Sequence, residues 1–112
     1  MMSHERLDVY NCAIQFRALA RRTVGGLPRG NADLADQLTR ASRSIPLLIA
    51  EGVGKTTPAH QARYFGDARG SALECAACFD VLAVEELIER KALQEGKALL
   101  ERIVAMLTNM LR

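Results

Sequence analysis

Apolar positions along this chain recur every three or four residues, and no segment alternates as a strand would, so the pattern predicts helices from one end to the other. In the first segment two stripes run side by side: Leu7, Tyr10, Ile14 and Ala18, and beside them Val9, Ala13, Phe16 and Ala20. Ser3 is placed to cap this helix, and Glu5 falls in the first turn, where a carboxylate complements the helix dipole. The helix is expected to reach about Thr23 before Gly25 and Gly26 stop it. Asn31, after a loop containing Leu27-Pro28-Arg29, is a natural cap for the next helix.

The second helix has the cleanest pattern, with Leu34, Leu38, Ala41, Ile45, Leu48 and Gly52 spaced by four and three. Pro46 interrupts it without shifting the apolar phase. Because proline removes one donor and presses on the carbonyl four residues back, a kink is expected there, with the stop at Gly52 and Gly54. Thr57-Pro58 reads as a cap followed by proline at the first helical position, where the missing donor costs nothing. The third helix then carries Phe65, Ala68, Ala72, Cys75, Phe79 and Leu82 to about Ala83. Residues 84–94 either prolong it or form a turn. A fourth helix from about Lys91 to Leu111 places Leu93, Leu100, Ile103, Leu107 and Met110 on one stripe, widened by Leu99, Val104, Met106 and Leu111.

Helices of roughly 18 to 24 residues, about 27 to 36 Å long and joined by short connections, pack most economically as an antiparallel up-down four-helix bundle. The fold class is all-α, and residues 1–112 are expected to form one domain. The fourth helix has more apolar circumference than one core covers, which predicts self-association through it.

Composition agrees. At 112 residues, with 49% hydrophobic and 25% charged residues, the chain can bury a sufficient core without metal or disulfide support. No apolar run is long enough to span a bilayer, and residues 1–7 lack the apolar stretch of a leader, so a cytoplasmic location is expected. Cys12, Cys75 and Cys78 are odd in number and follow no framework spacing, which points to reduced thiols. Net charge is only +2, yet residues 17–69 hold nine basic and four acidic side chains, a local excess of +5, whereas residues 71–112 hold five and seven.

Several motifs imitate chemistry. Gly52-Val53-Gly54-Lys55-Thr56-Thr57 looks like a phosphate-binding loop, but Ile49 occupies the position of its first glycine and a helix precedes it instead of a strand. A helix-stop turn is the better reading. Cys75 and Cys78 have redox or zinc spacing but lie mid-helix without a second pair, so they read as small buried hydrophobes, and no metal or other cofactor is expected. His4 and His60 read as surface residues. Glu51 and Glu74 are expected on buried faces as hydrogen-bonded acids that fix packing, Glu51 with Arg69 or a backbone amide as partner.

The basic residues Arg17, Arg21, Arg22, Arg40, Arg43, Lys55, Arg63 and Arg69 form a candidate nucleic-acid surface. No aromatic side chains interleave with them, so contacts would go to backbone phosphates more than to bases.

Leu7-Asp8-Val9-Tyr10, Gln37-Leu38-Thr39-Arg40-Ala41, Ser44-Ile45-Pro46, Ile49-Ala50-Glu51-Gly52, and Ala68-Arg69-Gly70-Ser71 with Glu74 resemble the four-helix-bundle proteins encoded in intervening sequences of bacterial 23S ribosomal RNA. The resemblance covers about residues 7–111. It implies a bundle whose kinked second helix carries the proline, and structural roles for Ser44, Pro46, Glu51, Gly52, Gly70, Ser71 and Glu74. It further implies homopentameric assembly into a barrel, shared with the related accessory protein of diversity-generating retroelements, and association with nucleic acid through basic surface.

The expected protein is therefore non-enzymatic, assembles with itself, and contacts RNA or DNA, with no catalytic residues, no membrane contact and no small-molecule ligand. The alternatives are a small-molecule or nucleotide-handling enzyme using Glu51, Lys55 and Glu74, and a protein-interaction adaptor.

Overall fold

The computed structural model describes residues 1–112, and it contains four long helices and no strand. They are α1 (Asp8–Gly25), α2 (Ala32–Val53), α3 (Pro58–Val84) and α4 (Arg90–Met110), preceded by a 3-10 turn at Ser3–Arg6. Each helix packs on the next, and α4 closes against α1, so the four stand at the corners of a square. Paired positions on α2 and α3 run in opposite order: Gln37 meets Glu74, Ser44 meets Ser71, and Gly52 meets Phe65.

Ser3 does not cap α1. Residues 3–6 close only short bonds, Glu5 N to Met2 O (3.1 Å) and Leu7 N to His4 O (3.1 Å), and the chain then turns extended at Leu7. That turn sets Leu7 against the core, which a helix continuing from Ser3 would not require. Asp8 takes the place in the first turn that was assigned to Glu5. Asn31 stands at the start of α2, but its side-chain amide donates back to the Pro28 carbonyl (2.9 Å), holding the loop and leaving the helix end uncapped. Thr57 does cap, its hydroxyl accepting from His60 N (3.3 Å) with Pro58 at the first helical position.

α2 runs through Pro46, which is buried. The proline has no N–H to give the Ser42 carbonyl four residues earlier. The ambiguous segment after α3 is a turn. Leu87 N donates to Leu82 O (2.8 Å) and Glu86 N to Ala83 O (3.1 Å), the paired bonds of a Schellman motif, with Glu86 in the left-handed region at φ 58°.

Twenty buried hydrophobic residues from all four helices form one core. At its centre the rings of Phe16 and Phe79 meet across the α1–α3 diagonal with centroids 5.3 Å apart. Of the two α1 stripes, the one containing Val9, Ala13, Phe16 and Ala20 is core, joined by Cys12 and Leu19, while Ile14 and Ala18 face outward. Two glycines permit the tightest crossings. A Cβ at Gly52 would meet the Phe65 ring, and one at Gly96 would overlap the Phe79 ring.

The surplus apolar surface lies on a different helix from the one expected. In α4, Leu93, Leu99, Val104, Met106 and Met110 pack against the core, because α4 sits between α1 and α3 and both cover its broad apolar arc. Of the eight exposed large apolar residues α3 holds three, Leu73, Val81 and Val84, more than any other helix, and the rest are Met1, Met2, Ile14, Leu47 and Leu111.

Candidate nucleic-acid interface

The seam between α1 and α2 gathers half of the sequence-predicted basic residues. Arg17 projects from α1 across the seam, and its Nη1 donates to Ser42 Oγ on α2 (2.5 Å). Ser42 is the one fully buried polar residue of the core region, and its hydroxyl donates in turn to the Thr39 carbonyl (3.2 Å). One terminal nitrogen of the guanidinium is thus anchored on α2, and the side chain is only half-buried. Partial burial lowers the Arg17 pKa from its ordinary value, and the neighbouring charges of Arg43 and Arg21 lower it further. Arg40 and Arg43 also line a shallow cleft of about 270 Å³ with Asp36 and Thr39.

Arg17, Arg21, Arg40 and Arg43 therefore share one patch. No carboxylate lies within 4.0 Å of any of them; the chain's ion pairs are Lys91–Glu95 and Lys97–Asp80. Cationic groups placed together without an ion-paired acid repel one another, and a bound anion relieves that repulsion.

The other candidates lie elsewhere. Arg22 faces α4 and lines a cleft of about 380 Å³ with Leu19, Leu87, Lys91 and Glu95. Lys55 sits in the α2–α3 turn with its ammonium 5.0 Å from the centroid of the Tyr64 ring. Arg63 is exposed on α3. Arg69 spends its Nε–H on Thr108 Oγ1 (2.9 Å) and joins α3 to α4.

The motif residues divide similarly. Ser44 Oγ lies 2.7 Å from Ser71 Oγ and 2.8 Å from the Ala41 carbonyl, a polar tie between α2 and α3. Gly52 gives Phe65 its space. Glu51 is not buried and has no side-chain partner, because at the end of α2 it points away from the packed face. Glu74 is likewise exposed, with only a long contact from Gln37 Nε2 (3.4 Å). Neither acid has the packing role expected of it. Gly70 is exposed with open space around it, so nothing within one subunit requires glycine there.

Cys75 and Cys78 are buried, and burial is the main cause raising both thiol pKa values, that of Cys75 to about 12. Such thiols are poor nucleophiles at neutral pH. The glycine-lysine segment that imitates a phosphate loop is the end of α2 and the turn after it. Glu51 and Lys55 lie at that turn. Glu74 pairs with α2 nine residues beyond Phe65, about 13 Å along α3, so these three side chains do not share a cavity.

These features define a small all-α bundle with an arginine patch on one helix seam. The chain belongs to the 23S rRNA-intervening sequence protein family, whose model matches residues 5–109. It is similar in fold to a protein of unknown function from the S23 ribosomal protein family of Bacteroides thetaiotaomicron, with a TM-score of 0.85 and 18% identity over 93% of this chain and 98% of that one. Among curated proteins none matches the chain. No helix is long and apolar enough to cross a membrane.

Proposed function

We propose that this chain is a non-enzymatic, self-assembling bundle, a homopentamer as its family resemblance implies, that holds the phosphate backbone of RNA or DNA on its α1–α2 arginine patch. The observation that carries this reading is the gathering of Arg17, Arg21 and Arg43 with no carboxylate within 4.0 Å of any of them. Assembly multiplies a weak field: each copy adds the same patch, and phosphate contacts that are modest singly become strong together. The lack of aromatic side chains at the patch favours backbone contact with little base preference. A cytoplasmic location, where RNA is found, is part of the same proposal.

The test is a titration of labelled RNA at two salt concentrations. Three phosphate contacts weaken binding about 40-fold between 50 and 200 mM monovalent salt, since the logarithmic slope is about 0.9 per contact. Salt-independent affinity, or none, contradicts the reading and leaves the protein-interaction adaptor.

A further inference from the structure

Two arginines of the bundle are held by hydroxyls on a neighbouring helix. Arg69 gives its Nε–H to Thr108 Oγ1 between α3 and α4, and Arg17 gives an Nη1–H to Ser42 Oγ between α1 and α2. Neither hydroxyl needs its arginine. Ser42 already donates to the Thr39 carbonyl (3.2 Å), and Thr108 to the Val104 carbonyl (2.7 Å). A bond to a carbonyl three or four residues earlier is the ordinary way a helical hydroxyl is satisfied, and Thr23 has only that, on the Leu19 carbonyl (2.9 Å). The dependence therefore runs from arginine to hydroxyl. Arg17 has five N–H donors, and Ser42 Oγ is the one acceptor in the chain that takes any of them.

The two arginines differ in what surrounds them. Arg17 stands among like charges, with Arg43 and Arg21 near enough to act on it and no carboxylate within 4.0 Å of any of the three. An untethered arginine has high rotamer freedom, and between two cations it swings into solvent, where separation and screening reduce the repulsion. The bond to Ser42 prevents this. Ser42 is fully buried on α2, and its single hydroxyl proton is committed to the Thr39 carbonyl, so the direction in which Oγ accepts is fixed. A contact that keeps a cation beside its like-charged neighbours gives the fold little stability. It gives an anion a site that is already arranged.

We infer that Ser42 is a positioning residue for phosphate binding: it touches no phosphate itself and acts by holding the Arg17 guanidinium across the α1–α2 seam, beside Arg21 and Arg43. This inference rests on the phosphate-binding patch of the proposed function and assigns which of its arginines is ordered before the ligand arrives. Of the four arginines of the patch only Arg17 has a hydrogen-bond partner in the chain. Arg21, Arg40 and Arg43 must be ordered by the ligand, and a side chain ordered beforehand loses less freedom on binding.

Affinity for a labelled RNA hairpin between 50 and 200 mM salt tests this, with the urea midpoint measured on the same samples. Ser42→Ala is expected to weaken binding about 3- to 10-fold, the range for one side chain that binding must newly order. The salt slope stays unchanged, because Arg17 still reaches phosphate, and the urea midpoint stays near wild type. Ser42→Cys, similar in size but a weak acceptor, should lose affinity as well. In an Arg17→Gln background neither substitution should have any further effect. Thr108→Ala, which breaks the matching tie between α3 and α4, should leave RNA affinity at the wild-type value. Undiminished affinity in Ser42→Ala, an equal loss in the Arg17→Gln background, or the same loss in Thr108→Ala overturns the positioning role and leaves the arginine patch standing. A wild type without salt-dependent RNA affinity overturns both.

Discussion

Gly96 of α4 lies against one edge of the Phe79 ring of α3, so close that a Cβ on Gly96 would overlap it. Phe79 is fully buried and already packed on Phe16, so it has no direction in which to yield. The helices approach here because one of them has no side chain.

Gly96→Ala is therefore expected to destabilise the fold. Alanine gains about 1 kcal/mol of helix propensity over glycine, but overpacking a filled core costs typically 1–3 kcal/mol. The net loss of up to about 2 kcal/mol is read as a lower denaturant midpoint with an unchanged slope. A midpoint equal to or above wild type contradicts the contact.

Glu86 holds a left-handed conformation in the α3–α4 turn without being glycine. Glu86→Gly removes the steric cost of that conformation while keeping the backbone bonds of the turn. A gain of about 1 kcal/mol is expected. The same chemical denaturation experiment reads it, and a loss shows that the side chain does more than tolerate the turn.

Cys75 gives the fold a dependence on alkaline pH. Its thiol is raised to about 12 in the native state from an ordinary 9.0, mainly by burial, with Cys78 and Glu74 adding to it. A raised pKa means that this contribution to stability is complete below the unfolded pKa and is lost as pH rises from about 9 towards 12, because the unfolded thiol ionises first. The loss unique to this residue is measured by comparing wild type with Cys75→Ala across that range. The variant starts lower because of the cavity it leaves, and its curve should fall less steeply. Parallel curves contradict the assignment. A thiol reagent at pH 8 should likewise leave native Cys75 unmodified.

Much of this architecture is legible in the chain, for reasons that differ by element. The apolar spacing of α2 and the Thr57-Pro58 start of α3 involve groups close in sequence, and local physics fixes both. Ser3 misleads because a capping residue is a permission, and the burial of Leu7 ends the turn before the helix begins. The apolar width of α4 is equally visible in sequence, but whether neighbours cover it depends on its place between α1 and α3. The outward apolar face of α3, with Leu73, Val81 and Val84, is concealed for the opposite reason. Apart from Leu73 its outward positions are glycine, alanine and valine, which look unremarkable until the core face is known and the open space beside Gly66 and Gly70 is seen. The eight basic residues were visible as a group, but their division was not. Arg69 is spent on Thr108, and Arg17 is held by Ser42, through contacts 39 and 25 residues apart in sequence.

The most direct test of the account compares RNA binding by wild type and Arg17→Gln/Arg21→Gln over 50 to 200 mM salt, using one labelled hairpin and a DNA duplex of the same sequence. Removing two phosphate contacts should weaken binding to both and lower the logarithmic salt slope by about 1.8, with Arg22→Gln, on the opposite seam, leaving the slope unchanged. A double variant that binds with wild-type affinity and slope would contradict the claim that this patch holds nucleic-acid backbone.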